Sequence, residues 1–382
     1  MAFGIVCEYN PFHNGHLHQI KEIKKASDEP IICVMSGNFT QRGEVAIADK
    51  YARAKMALDG GADLVVELPV PFSIASAEYF ASAGVSILAG LFADKLSFGS
   101  ECADAEKIMK IAEIAASDEF KNECANLSRE QGSTGAYFDL LADKSGVEDI
   151  KSNDILGIEY AKAIIKNGYK MQIFPIKREG NAYRETRLSL GELPSASAIR
   201  EAISNNIFDN ISAFVPASTL EMLKENELAS FEKVKDSILL ALRLIDANKL
   251  DVAISNKGLV NRILATAHEC TSFNEFECKM QTKKYTASAI RRAIFYILLG
   301  IKQSDLEKMP EYAVLLGANE RGKGYLASIR KNESAISVIT KPADAEGSRQ
   351  FELSKKADAL YTMCFENKKE SGFYIKKSPN IM

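Results

Sequence analysis

The sequence predicts an α/β chain: a parallel sheet covered by helices on both faces, then a mainly helical C-terminal part with some strand. Three observations carry this. Through the first 200 residues, short apolar runs alternate with stretches of helical periodicity. Those short runs are nearly continuous in apolar residues, as strands buried on both faces are. Past about residue 205 they give way to longer helical patterns.

The first run, FGIVC (3–7), stops before Asn10-Pro11, because proline cannot continue a ladder and restricts the residue before it. A helix follows over 15–26, with Asn14 placed as its N-cap and Gly15 permitting close approach to the backbone. IICVM (31–35) reads as the second strand, with a helix over about 47–60. DLVVELPV (63–70) and a helix over 75–90 come next, then DKLSFG (94–99). Helices over 103–117 and 154–167 lead to MQIFPI (171–176). Strand–helix–strand repetition builds a parallel sheet, whose ligands bind beyond the carboxyl ends of the strands where the strand order switches. Further on, 217–248, 257–269 and 287–301 read as helices, and YAVLLGANERGKGYLASI and AISVITKP as a mixed stretch. No low-complexity tract and no repeat is visible. The expected division is 1–205 and 206–382.

At 382 residues, 46% apolar and 26% charged, the chain has the balance of a two-domain globular protein. MAFGIVCEYN lacks a basic segment followed by an apolar one, and the longest apolar run, Ile294 to Ile301, is under half a membrane span. The expectation is a cytoplasmic enzyme with no membrane partner. Its seven cysteines are scattered without a C-x-x-C pair, against a disulfide framework or zinc ribbon. Net charge is −3, yet from Gln281 onward 18 Lys/Arg face 11 Asp/Glu. A basic C-terminal third suits a polyanion; a solvated face without a partner is the alternative.

Three of the four histidines, His13, His16 and His18, crowd into PFHNGHLHQ. His16 and His18 are two apart, hence on different sides of a helix, and no i, i+4 pair exists, so no metal site is expected. A second reading is H-x-G-H. His13 and His16 then flank a phosphate as donors at a helix N-terminus, where unpaired N–H groups and the dipole favour anions. Histidines satisfied in the core or on the surface are the third reading, and His18 is assigned no chemistry of its own.

PFHNGH after a first strand resembles the H-x-G-H signature of the nucleotidyltransferase superfamily, related to class I aminoacyl-tRNA synthetases. That resemblance implies a Rossmann-like nucleotidyltransferase domain. The superfamily's second element, a Ser/Thr-rich turn followed by Ile-Arg at a helix start, is matched by PSASAIREAI with Ser195, Ser197 and Arg200. Hydroxyls and an arginine there can hold β- and γ-phosphates. Longer segments narrow the resemblance: GIVCEYNPFHNGHLHQI, MSGNFTQRGEVAIADKYARAKMAL, GADLVVELP, NDILGIEYAKAI and KKYTASAIRRAIFYILLGI are similar to the bacterial tRNA(Met) cytidine acetate ligase family.

The resemblance implies ATP-dependent activation of acetate as acetyl-AMP with release of pyrophosphate. The acetyl group then passes to N4 of the wobble cytidine of elongator tRNA(Met). Acetate, that tRNA, ATP and ATP-borne magnesium are the implied partners. Carried over residue by residue, the ATP site comprises Val6, Cys7, Glu8, Tyr9, Asn10, Pro11, Phe12, His13, Asn14, Gly15, His16, Leu17, His18 and Gln19. Gly99, Asn153 and Arg178 join it, with the phosphates at Ser195, Ser197 and Arg200. His13, His16 and Arg178 are the expected catalytic residues. Gln41 and Arg42, beyond the second strand, are expected on the substrate side, with Ser36 and Asn38 as further polar contacts; Asp49, Arg53 and Lys55 are assigned to a helix face. Lys283, Lys284, Arg291 and Arg292 are candidate tRNA contacts, with a capped amphipathic helix as the alternative. A small-molecule adenylyl- or cytidylyltransferase is the competing function, though such enzymes usually end near the Ser/Thr-Ile-Arg element.

Overall fold

A computed structural model of the chain describes residues 1–130, 134–147, 150–178, 195–205, 207–208, 211–254, 257–282, 285–332 and 335–382. All five expected strands form: β1 (Phe3–Cys7), β2 (Ile31–Ser36), β3 (Leu64–Leu68), β4 (Lys95–Ser100) and β5 (Gln172–Lys177). They run parallel in the order β5-β4-β1-β2-β3. β1 pairs β2 from Phe3↔Ile31 to Cys7↔Met35 and begins beside β4 at Phe3↔Lys95. The strand order therefore switches at β1, and the crevice beyond its carboxyl end is where residues 8–13 emerge.

The helices before residue 205 are α1 (Asn14–Ala26), α2 (Lys50–Asp59), α3 (Ala77–Gly90), α4 (Ala105–Ala116), α5 (Asp118–Glu130), α6 (Thr134–Ser145), α7 (Ser152–Asn167) and α8 (Ala196–Ser204). α5 and α6 occupy a stretch to which the periodicity assigns nothing. Side chains of β1 alternate between two cores: Phe3, Ile5 and Cys7 face α1 and α2, while Val6 faces α3 and α7. Close approach needs missing side chains. A Cβ on Gly84 of α3 would come within 2.7 Å of Val6 Cγ1, and one on Gly157 of α7 would collide with the Phe98 ring.

Next come α9 (Ala217–Glu225), α10 (Lys235–Arg243), α11 (Lys257–Glu269), α12 (Phe273–Met280), α13 (Ala287–Leu299) and α14 (Gln303–Glu307). The single helix expected over 217–248 is thus two helices, broken by a 3₁₀ turn at Phe231–Val234. β6 (Tyr312–Ala318), α15 (Glu320–Ile329), β7 (Ser337–Ile339), α16 (Arg349–Tyr361) and β8 (Asn380–Ile381) complete the chain. The C-terminal strands do not form a sheet of their own. β6 pairs antiparallel with β3 at Leu64↔Ala318, and β7 and β8 add to β6. The α1/α2 core likewise continues into α9 to α13 and α16. The expected boundary after residue 205 therefore divides neither the sheet nor this core, because β6 extends the N-terminal sheet past β3.

A buried ion cluster joins the two parts. Lys50 Nζ, 1% exposed, lies 2.9 Å from both oxygens of Glu67 on β3 and 2.9 Å from Asp358 Oδ2 on α16. Asn38 donates to Asp358 Oδ1 (2.8 Å) and accepts from the Lys50 N–H (2.9 Å). Burial disfavours the charge on Lys50, but Asp358 and Glu67 outweigh it and raise its pKa. One turn on, Arg53 is not on an exposed helix face: it is fully buried, donating Nε to the Ala48 carbonyl (2.9 Å) and Nη1 to Glu8 O (2.6 Å). Its Nη2 reaches Ser36 O (3.1 Å) and Gly37 O. Lys50→Met would leave Glu67 and Asp358 buried without their cation, and urea unfolding should show a loss of about 3–5 kcal/mol. Asp358→Asn should cost less, since Lys50 keeps Glu67.

Candidate active site

The loop from β1 to α1 passes through Tyr9 with φ of 47° and a cis Asn10-Pro11 bond. Tyr9 and Phe12 are buried, edge to face at 4.9 Å, and carry the loop on the core. Gln19, on the inner side of α1, donates to Ser97 Oγ (3.3 Å), and His18 pairs loosely with Glu22 (4.0 Å). Of the expected ATP loop, Val6, Cys7, Tyr9, Phe12 and Gln19 are thus packing residues whose side chains are buried.

The N-cap of α1 is His13, not Asn14. His13 Nδ1 accepts from the Gly15 N–H (3.0 Å), and His16 Nδ1 accepts from the His13 N–H (3.2 Å), a reciprocal capping box made of imidazoles. Asn14 instead turns to a distant segment, with its N–H on Phe214 O (2.9 Å) and Nδ2 on Ala213 O (2.9 Å). The two imidazoles stack at 3.7 Å, and Tyr9 lies 4.7 Å from the His16 ring. Gly15 is required by this packing: a Cβ there would meet His13 Cε1 at 2.9 Å.

This geometry decides which nitrogen of each ring carries the proton. Both Nδ1 atoms accept backbone hydrogen bonds, so each neutral ring carries its proton on Nε2. Burial, with the charges of Arg178 and Arg200, lowers the His13 pKa to about 3. Burial, His13 and Arg178 lower that of His16 well below the ordinary value. The first N–H groups of α1 are not spare donors: Asn14 uses Phe214 O, Gly15 uses His13 Nδ1, and His16 and Leu17 use His13 O at 2.9 and 3.0 Å. The sequence expectation of unpaired helix amides is replaced by a pair of neutral Nε2–H donors.

Arginines surround the pair. Arg178 follows β5, its N–H on Ser100 O (3.0 Å), and its stem crosses Gly99, where a Cβ would lie 3.2 Å from Arg178 Cγ. The bare face of Gly99 thus makes room for Arg178. The turn after β4 is held by Asp154 on α7, which sequence reading passed over. Asp154 accepts from Ser100 Oγ and from the N–H groups of Glu101 (3.0 Å) and Cys102 (3.3 Å). Its only sequence signal is an acid in a first helical turn. Lys283, Lys284 and the side chain of Asn153 lie outside the described residues.

The SASAIR element opens α8 as expected: Ser195 Oγ caps it by accepting from the Ala198 N–H (3.3 Å). Arg200 donates Nη1 to Asn10 O (2.9 Å) and Nη2 to Ser197 Oγ (3.2 Å) and Glu44 Oε2 (2.8 Å). Ser36 and Asn38, expected to meet ligand, are buried, and Asn38 belongs to the ion cluster. Gln41 and Arg42 lie half-buried on the turn beyond β2, with the Gln41 N–H on Glu8 Oε1 (2.7 Å). Burial raises the Glu8 pKa against that hydrogen bond. Arg291 and Arg292 are not displayed to solvent as a phosphate-binding pair. Arg291 reaches Glu44 Oε1 (3.2 Å) and Arg42 O (3.3 Å), and Arg292 reaches Gln41 O (3.4 Å), so both hold this turn from α13. The reason is tertiary: the turn packs on α13, with Gly43 (φ 67°) so close that a Cβ would lie 2.9 Å from the Arg292 N atom.

A parallel sheet switching at β1, with an H-x-G-H capping box beyond it, defines a HIGH-type nucleotidyltransferase, and the HIGH Nucleotidyl Transferase family matches residues 1–374. Relatives resolve the class further. The tRNA(Met) cytidine acetate ligase of Acetivibrio thermocellus is 37% identical over 96% of this chain and 95% of its own length. That of Clostridium perfringens is 33% identical over 97% of each. The crystal structure of Thermotoga maritima TmcAL in its apo form I superposes with TM-score 0.90 at 29% identity, covering all of both chains. The same protein bound with alpha-thio ATP gives 0.88 at 28%, again over both whole chains. The chain belongs to the tRNA(Met) cytidine acetate ligase family.

Because folding suppresses protonation of His13 and His16, the unfolded chain gains protons below the ordinary value near 6.5 that the folded one excludes. Stability should therefore fall as pH drops from 7.5 to 5.5, by about 3 kcal/mol for the two together. Urea unfolding of the wild type and of a His13→Asn/His16→Gln variant should show this slope flattened in the variant.

Proposed function

We propose that this protein activates acetate with ATP, forming acetyl-AMP and pyrophosphate, and passes the acetyl group to N4 of the wobble cytidine of elongator tRNA(Met). The observation that carries the reading is the stacked His13–His16 pair at the sheet's switch point, with Nε2–H free of backbone duty and Arg178 and Arg200 beside it. The residues fit a nucleotide. Gly15 and Gly99 keep side chains out of the loop, and Asn10 has a buried Nδ2 without a partner among the described residues. A tRNA substrate puts the reaction in the cytoplasm.

Acetate is ionised at pH 7, so its attack on the α-phosphate requires no general base. What the protein must supply is alignment of two anions and neutralisation of the charge gathering on phosphate. Neutral imidazole N–H donors do this without competing for the proton, and their bonds strengthen as oxygen charge grows. Arg178 supplies the fixed positive charge from the β5 side. Magnesium would arrive on the ATP phosphates. Among the described residues no group of three or more His, Cys, Asp or Glu side chains is placed to hold a metal ion. For transfer, Gln41 and Arg42 stand on the acceptor side, and exclusion of water from the adenylate is the main requirement.

Against the small-molecule nucleotidyltransferase alternative stand the relatives named tRNA(Met) cytidine acetate ligase, which match 95% and 97% of their own lengths. Pyrophosphate exchange into ATP tests the reading. Exchange should depend on acetate; exchange driven only by a phosphorylated acceptor would overturn it. His16→Ala should lower acetate-dependent exchange about 10²- to 10³-fold, the scale of losing one transition-state donor, with its thermal midpoint close to the wild type.

A further inference from the structure

Glu44 sits on the turn beyond β2 with both carboxylate oxygens held by arginines, Oε2 by Arg200 at 2.8 Å and Oε1 by Arg291 at 3.2 Å. The two arginines come from two hexapeptides that share their last five residues. SASAIR (195–200) opens α8 and TASAIR (286–291) opens α13. In each copy the first hydroxyl caps its helix, Thr286 Oγ1 accepting from the Ala289 N–H (3.2 Å) as Ser195 does from Ala198. Each copy then sends its arginine, five positions on, to the same carboxylate.

The copies differ in what else they touch. Arg200 belongs to the phosphate loop: it donates to Asn10 O and its charge lowers the His13 pKa after burial and Arg178. Arg291 belongs to the turn, bonding Arg42 O. Glu44 is therefore an anion resting on the cation that α8 offers to the loop. Because Arg291 also holds it, Glu44 keeps a cation if Arg200 turns to another anion, and the exchange costs little.

We propose that Glu44 is an internal stand-in for the terminal phosphates of ATP. It occupies Arg200 until the triphosphate arrives, then passes wholly to Arg291, and the turn at 40–44 adjusts with it. This rests on the reading that the ATP phosphates lie against His13 and His16. The turn carries Gln41 and Arg42 and is tied to Glu8 through the Gln41 N–H. Glu44 is thus a positioning residue that makes the acceptor side of the site respond to ATP.

Calorimetric titration of the full-length protein with ATP, and separately with tripolyphosphate, in the absence of acetate and tRNA tests this. Glu44→Gln removes the charge and keeps the shape, and should bind both ligands about 2- to 5-fold more tightly, the scale of one partly exposed ion pair. In an Arg200→Met background the same change should alter neither affinity. Hydrogen exchange should show the amides of Thr40 and Gly43, bonded to Glu44 O (3.0 Å) and Thr40 O (2.8 Å), exchanging faster when ATP is added to the wild type. Unchanged or weaker binding by Glu44→Gln, with Arg200→Met still weakening it, would overturn the stand-in while leaving Arg200 as a phosphate ligand. If Arg200→Met binds ATP like the wild type, Arg200 is no phosphate ligand and the stand-in falls too, whereas acetate-dependent exchange tests the reaction separately. Should Glu44→Gln fail to fold, Arg291→Met serves instead: Glu44 then rests on Arg200 alone and ATP should bind more weakly, and equal or tighter binding overturns the proposal.

Discussion

Everything at the catalytic end of the sheet depends on two buried cations one turn apart on α2. A lysine and an arginine at i and i+3 point to the same side of a helix, here into the protein. Lys50 is neutralised by Glu67 from the sheet and Asp358 from the last long helix. Arg53 spends its donors on carbonyls at the ends of β1 and β2, those of Glu8, Ser36 and Gly37. A guanidinium with five fixed donors can hold several loop carbonyls at once in a way a lysine cannot. The loop bearing the histidines and the loop bearing Gln41 are thereby fixed to each other and to the C-terminal part of the chain.

The same economy of donors explains the histidines. A helix N-terminus facing a crevice invites the conclusion that its amides bind the phosphate. Here those amides are consumed by Phe214 O and by His13 itself, and the donor left on each ring is its Nε2–H. Burial keeps the rings neutral, so each holds a donor N–H and no charge. The positive charge beside the rings comes from Arg178 and Arg200.

Much of this was legible in the residues. Five nearly continuous apolar runs placed all five parallel strands, and H-x-G-H and SASAIR mark two helix starts that meet at the Asn10 carbonyl. Less visible was what each side chain does. Asn14 is a better N-cap than histidine by intrinsic preference, yet His13 takes the position because His16 reciprocates, and Asn14 is drawn away to Ala213. Arg53 sits among charges in sequence, where an exposed helix face is the natural reading, and nothing local reveals four carbonyl acceptors brought from three segments. The TASAIR copy is inconspicuous as a repeat because only five consecutive residues, ASAIR, recur. Its arginine pair reads locally as a basic patch, and only the turn at 40–44 packed against it supplies these carbonyl and carboxylate partners.

By itself the sequence determined the parallel sheet, the placement of the H-x-G-H loop after its first strand, and the family, since periodicity and local motifs are properties of short segments. Only the tertiary structure decided that residues 312–318 extend the sheet beyond β3 and that Glu44 lies between Arg200 and Arg291. The reason is physical: pairing of distant strands, burial of charge and choice of hydrogen-bond partner depend on atoms brought together across more than a hundred residues, and no local pattern encodes which of the available partners will arrive.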